Sequence, residues 1–316
     1  MDLRVLAAEQ DGVLTAAQLR DCRVSRAVER GHVDAGRWLR VRRGVVLVDP
    51  ARAGSNPGWV AARAVALACP DAVVAGRTAA RLHGMDGVPD GPEEVVVAAG
   101  RPLRPRPDLV AHRLRLEPRE VVTLRGIQVT TPARTLVDLV LRADRPAALA
   151  MLDAALRRGL VAETDLPALR TACTHRPGGA AVRDLWDLAD GRAESVLESR
   201  VRLRCVDAGL VPDKLQLVVR DDHGAVVGRA DLAYRLPGGA GWLLVEADGA
   251  GVHGSPDALH RDRTRANALT ARGHLLLRFT WRDTLDPFTI PQAVRAALRA
   301  AARGNEPRLG AAGGSE

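Results

Sequence analysis

Trp242-Leu-Leu-Val-Glu-Ala-Asp248 is an apolar run ending in two acids, and it decides how the last third of this 316-residue chain is read. A strand's period of two sends Glu246 and Asp248 out on the same face. Upstream, Leu215 to Val219 and Val226 to Tyr234 read as two further strands around an Asp-Asp-His-Gly turn. Before them, Glu194 to Ala208 carries Leu197, Val201, Cys205 and Ala208 at helical spacing. After them come a helix from Asp257 to Ala271, a strand from Leu275 to Thr280 and a last helix near Pro291 to Arg303. The order is α, β, β, β, α, β.

If the second and third strands form a hairpin, Asp231 joins Glu246 and Asp248 and three carboxylates converge. Such groups repel unless a cation lies between them, and Mg2+ or Mn2+ is the hard ion that prefers oxygen ligands. Phosphodiester hydrolysis is the natural reaction for that ion in a basic protein. The plain alternative is a strand that merely ends in a polar turn. Glu198 shares a helix face with Glu194 and offers one more carboxylate. His253 is placed to act as general base or supporting donor. Arg263 and Arg265 are candidates to meet a scissile phosphate, or else belong to an exposed charged turn.

The whole chain is longer than one core needs, so two or three domains are expected. Hydrophobic residues at 47% and charged residues at 27% exclude a wholly disordered chain. The net charge of +8 favours a polyanionic partner, although Lys214 is the sole lysine and heavy arginine use also marks GC-rich genomes. No apolar run is long enough to cross a bilayer and the start lacks a signal-peptide core, so a cytoplasmic protein without a membrane partner is expected. Cys22, Cys69, Cys173 and Cys205 form no metal or redox motif and read as free thiols. Glycine-containing stretches such as Pro237-Gly-Gly-Ala-Gly241 lack the lysine of a phosphate-binding loop, which leaves no nucleotide cofactor.

At the N-terminus, short helices at Asp2 to Glu9, Thr15 to Leu19 and Ser25 to Arg30 precede the basic ribbon Trp38 to Val48, with Gly31 as the expected helix stop. This is the pattern of a winged helix-turn-helix. It places Ser25, Arg26 and Arg30 at a DNA groove and Arg37, Arg40, Arg42 and Arg43 against phosphates; the alternative is a winged helix that contacts only protein. In the middle segment a helix at Trp59 to Cys69, then the stretch Gly76 to Gly84, and strands at Glu94 to Ala98, Val110 to Leu114 and Gly126 to Thr130 are expected. Arg101 to Pro107 reads as an extended loop. His83 and His112 read as structural histidines.

Two resemblances add to this. Thr15-Ala-Ala-Gln-Leu19, Arg42-Arg-Gly-Val45, Thr78-Ala-Ala-Arg-Leu-His-Gly84 and Thr130-Thr-Pro-Ala-Arg-Thr-Leu-Val-Asp138 together resemble the AbiEi-type antitoxins of bacterial abortive-infection systems. The likeness covers roughly the first half of the chain and implies a winged-helix DNA-binding module followed by an accessory domain. Glu246-Ala-Asp-Gly249, His253, Asp262-Arg-Thr-Arg265 and Leu277-Arg-Phe-Thr280, with Glu198-Ser-Arg200, Gln216 and Gly228-Arg-Ala-Asp231 upstream, resemble uncharacterised bacterial domains related to the very-short-patch-repair endonuclease. These belong to the PD-(D/E)xK nuclease superfamily. Asp231 then matches the first metal-binding acid and Glu246 the acid of the D/E-x-K element. Asp248 stands where that signature has lysine, and the resemblance gives His253 the base role.

The expected fold is α+β and multidomain. A winged helix-turn-helix spans 1–50, an α/β accessory domain with linking helices spans 51–175, a restriction-endonuclease-like αβββαβ core spans 190–303, and a disordered tail spans 304–316. Two functions fit. One is a metal-dependent endonuclease acting on double-stranded DNA. The other is a DNA-binding regulator or antitoxin whose nuclease-like domain is catalytically silent.

Overall fold

The chain divides into two units, Met1–Leu188 and Ala189–Glu316. The computed structural model describes residues 2–98, 106–239, 241–249 and 256–304, the side chains of 256–259 excepted. His253, the tail beyond 304 and most of the proline-arginine loop lie outside the described residues. Three sheets are present among the described residues, and none closes into a barrel.

In the first unit the Asp2 carboxylate caps α1 (Leu3–Glu9), and β1 (Val13–Thr15) follows. Thr15 opens α2 (Ala16–Asp21) with a capping box completed by Gln18. Ser25 caps α3 (Arg26–Asp34) by accepting from the Val28 N–H at 3.3 Å. Gly31 does not stop α3, which runs on to Asp34; Gly36, at φ +68, takes the left-handed position beyond its end. The hairpin of β2 (Leu39–Arg42) and β3 (Val45–Leu47) is joined by β1 in an antiparallel sheet of order β1-β3-β2. Leu6, Leu14, Leu19, Trp38 and Val46 fill the space beneath it.

Next come α4 (Ala51–Ser55), α5 (Pro57–Ala68), β4 (Val73–Val74), α6 (Gly76–Leu82), β5 (Glu93–Val97), β6 (Leu109–Arg113), β7 (Val121–Leu124) and β8 (Ile127–Thr130). The strands form a sheet of order β6-β5-β4-β8-β7. Thr131 caps α7 (Pro132–Val140), with proline in its first turn. The unit ends with α8 (Arg145–Arg157), α9 (Leu166–Cys173) and α10 (Leu185–Leu188). Helix α5 is rich in alanine because both of its sides are covered. Val60 and Ala64 pack on Val13, Val45 and Leu47 of the small sheet, while Ala62 packs on Val74, Ile127 and Val129 of the larger one.

A buried carboxylate stitches β5 to its surroundings. Glu94 has a fully buried side chain that meets Arg77 at 3.1 Å, Arg142 at 2.8 Å and His112 at 2.5 Å. It also accepts from the Arg77 N–H at 3.2 Å, which ties it to the start of α6. Gly76 is required beside it, since a side chain there would collide with the carboxylate and the backbone is left-handed at φ +52. Burial works to raise the Glu94 pKa, but the His112 and Arg142 contacts outweigh it and hold the group at about 2.

In the second unit α11 (Val196–Asp207) precedes β9 (Lys214–Arg220), β10 (Val226–Arg235), β11 (Trp242–Ala247), α12 (Pro256–Thr270), β12 (Leu275–Phe279) and α13 (Thr289–Gly304). The sheet order is β12-β11-β10-β9; β9, β10 and β11 are antiparallel, and β12 lies parallel to β11. Leu197, Val201 and Cys205 of α11 and Ile290 and Val294 of α13 pack on one face, against Leu232, Tyr234, Leu243 and Val245. Leu269 of α12 packs on the other, against Ala233 and Leu244. Strand β11 is thus covered on both sides, which explains its uninterrupted apolar run.

The Glu94 network generates a pH dependence. Its folded pKa lies below the ordinary 4.5, so its contribution is complete above about that pH and is lost as the pH falls toward 2. Glu94→Gln is expected to cost on the order of 3 kcal/mol at neutral pH and to flatten the acid limb of stability. Urea unfolding of wild type and variant across the acid range checks this, and an unaltered acid limb in the variant would contradict it.

Candidate functional site

Helix α3 and the β2–β3 hairpin carry the N-terminal arginines. Helix α3 buries none of its residues. Arg26, Arg30, Arg37, Arg40 and Arg43 are all exposed. Arg37 donates to the His32 ring nitrogen at 3.0 Å, and that ring stacks on Trp38 with centroids 4.4 Å apart. Arg40 forms a single 3.2 Å contact with Glu29, a surface pair that water and salt weaken. Arg42 differs from the others. Its side chain is only 7% exposed, and Asp108 holds it with carboxylate and carbonyl oxygens at 2.5 and 3.2 Å, so it braces the unit and is withdrawn from the expected phosphate-facing set.

In the second unit the ladder between β10 and β11 ends at Leu232 and Val245. Asp231 and Glu246 are the next residues of the two strands. The Asp231 carboxylate accepts from the Ala247 N–H at 2.7 Å and from the Gln216 side-chain amide at 3.4 Å. The same amide donates to Glu198 at 2.8 Å, and Glu198 also accepts from the Glu194 N–H at 2.8 Å. Gln216 achieves this from a left-handed backbone, φ +52 inside a strand, a conformation that costs a non-glycine residue on the order of 1–2 kcal/mol. Its own amide oxygen is buried without a hydrogen-bond partner. Burial raises the pKa of both Glu198 and Asp231. Glu194, the other acid of that helix face, pairs outward with Arg229 at 2.5 Å.

Glu246 is 6% exposed, and arginines satisfy both of its oxygens. Arg265 of α12 contacts the two oxygens at 2.6 and 2.8 Å, and Arg278 of β12 adds a third contact at 3.1 Å. The same two arginines hold Asp262 at 3.2 and 2.5 Å, which pulls the Asp262 pKa down. Asp248 lies 3.8 Å from Arg278, and its own pKa is raised, chiefly by burial. Arg263 is exposed, whereas Arg265 is engaged with carboxylates in place of an open surface.

Glu198, Asp231, Glu246 and the Gln216 amide oxygen are oxygen donors of the type Mg2+ takes. Arginines also reach this set. The Glu246 oxygens are already neutralised by guanidinium groups, and among the described residues no three His, Cys, Asp or Glu side chains are grouped to hold a metal. The four cysteines are free. No described helix is long and apolar enough to cross a membrane.

Residues 72–188 match the AbiEi antitoxin C-terminal domain. The chain is 34% identical over 231 residues to the uncharacterized protein Rv2248 of Mycobacterium tuberculosis strain H37Rv and equally to the uncharacterized protein MT2308 of strain CDC 1551. Each match spans 72% of this chain and 77% of the relative. The chain belongs to the family of these mycobacterial proteins. A crystal structure of the RV2827C protein of Mycobacterium tuberculosis aligns at a TM-score of 0.36 and 14% identity, over 69% of this chain and 83% of that one.

The contrast between two neighbouring arginines of α12 is testable. Arg265→Gln strands the buried Glu246 and is expected to cost about 2 kcal/mol, whereas Arg263→Gln costs less than about 0.5 kcal/mol. Chemical unfolding of the two variants decides the matter, and equal midpoints would show that the clamp on Glu246 contributes nothing.

Proposed function

We propose that this protein is a DNA-binding regulator of the antitoxin type, whose second unit does not cut. The observation that carries this reading is the match of residues 72–188 to the AbiEi antitoxin C-terminal domain. In this reading α3 and the β2–β3 hairpin act as a winged helix-turn-helix on double-stranded DNA. Ser25, Arg26 and Arg30 approach the groove, and Arg37, Arg40 and Arg43 meet phosphates. Exposed arginines on one helix and one ribbon supply the electrostatic attraction that duplex binding needs.

The silence of the second unit is supported by the charge balance around Glu246. A guanidinium fork is bidentate, permanently charged and weakly hydrated, so it competes well for a buried carboxylate. With Asp248 in place of the superfamily lysine, the site offers neither a free metal-binding acid at Glu246 nor the lysine that positions water in that superfamily. The carboxylates then hold the ends of β10, β11 and α12 together.

Fluorescence anisotropy with a labelled duplex at several salt concentrations tests the DNA-binding reading. Wild type is expected to bind with an affinity that falls steeply with salt. Arg26→Ala with Arg30→Ala weakens binding and makes the salt slope shallower by about one for each phosphate that the variant no longer neutralises. Unchanged affinity and slope in the double variant would overturn the reading.

A further inference from the structure

The second unit carries an apolar face that its own core leaves uncovered. Trp281, Leu285 and Phe288 lie between the end of β12 and the start of α13, and they are 47%, 63% and 65% exposed. Trp281 and Phe288 are the only aromatic residues among the exposed large hydrophobics of the described residues, in a chain with five tryptophans and two phenylalanines. We propose that this face joins two copies of the chain in a two-fold symmetric dimer.

The segment that carries these side chains is pinned. Asp283 accepts from the Thr280 N–H at 2.7 Å and from the Thr280 hydroxyl at 2.8 Å, and Asp286 accepts from the Phe288 N–H at 3.2 Å and from the Thr289 hydroxyl at 2.6 Å. Buried Thr284 donates its hydroxyl to the Trp281 carbonyl at 2.7 Å, and Arg204 of α11 donates to the Thr284 carbonyl at 2.9 and 3.1 Å. Apolar side chains held outward on a fixed backbone lose little freedom on docking, as interface anchors do. Charge selects a second copy as the occupant. Two chains of net charge +8 repel one another and associate best where the local charge is balanced. Here the Arg200 guanidinium lies over the Trp281 ring, 4.6 Å from its centroid, and Arg282 is exposed, against the two acids Asp283 and Asp286. A two-fold contact sets a surface against itself, so it needs both signs around one apolar centre. A strongly acidic or basic partner would match only half of that rim. Three side chains of this exposure present on the order of 300 Å2, a patch size that is often functional on a monomer. With its polar rim it suits the centre of an interface of about 800 Å2 per partner. Pairing would bring two copies of the first unit to one duplex, as helix-turn-helix proteins do at paired half-sites; that consequence rests on the DNA-binding reading, whereas the dimer does not.

Sedimentation velocity of the full-length protein without DNA, over a concentration series reaching well above the micromolar range, tests the dimer. Wild type is expected to pass from monomer to dimer with a dissociation constant of roughly 1 to 100 μM. Leu285→Asp and Phe288→Ser each raise that constant about tenfold or more. Val226→Asp, at a similarly exposed apolar position on β10, leaves it unchanged. All three positions face solvent, so each variant is expected to keep the wild-type circular dichroism, and either of the first two suffices for the test. A wild type that stays monomeric throughout the series overturns the proposal, whatever else the face then binds. So does a dimer that survives Leu285→Asp and Phe288→Ser, or that Val226→Asp disrupts equally, since its interface then lies elsewhere. With no DNA present, the outcome is independent of the duplex-binding test.

Discussion

Arginine forks around buried carboxylates brace each of the two units of this protein from within. Glu94 lies between Arg77 and Arg142, Asp138 between Arg134 and Arg176, and Glu246 between Arg265 and Arg278. Arg63, itself buried, joins Asp11 to a distant carbonyl on the β7–β8 turn. With one lysine in the chain, the planar guanidinium does this throughout, and its several donors let one side chain satisfy two elements at once. Removing either partner from such a site leaves an uncompensated charge, which costs far more than the pair contributes.

This division of labour changes what the positive charge means. A net charge of +8 suggests a basic surface, yet many of the arginines are spent on the protein's own acids, and Arg42, from the ribbon expected to face DNA, is held by Asp108. The arginines that stay exposed on α3 and its hairpin therefore carry the case for nucleic acid. The same chemistry recurs at Glu246, whose two oxygens are held by Arg265 and Arg278.

Much of the second unit was legible from period alone. The apolar run of β11 and the Glu246–Asp248 spacing gave the strand and its acidic end, and the helix–strand order followed from simple alternation. In the first unit the helices starting near Thr15 and Ser25 were legible in the sequence, and both residues cap them in the structure. Other features had no local signal. Strand β4 has two residues and β1 three, too few to display a period, and each is defined by its partners in space. Gly31 looked like a stop, but helix propensity tolerates an isolated glycine when the turn beyond it supplies the left-handed residue. Arg42 and Asp108 are 66 positions apart, and the arginines on Glu246 come from a helix and a strand that follow it, so no spacing rule connects them. Gln216 was visible only as part of a resemblance, because its backbone strain is a property of the folded sheet.

The most direct measurement of the central claim is incubation of supercoiled plasmid with the protein in Mg2+ or Mn2+, followed by removal of the protein and electrophoresis. If the arginines on Glu246 stand where a catalytic cation would, the plasmid is retarded while protein is bound and is recovered supercoiled afterwards, from wild type and Glu246→Ala alike. Metal-dependent nicking by wild type that disappears with EDTA and in Glu246→Ala would contradict it and restore the second unit as a nuclease.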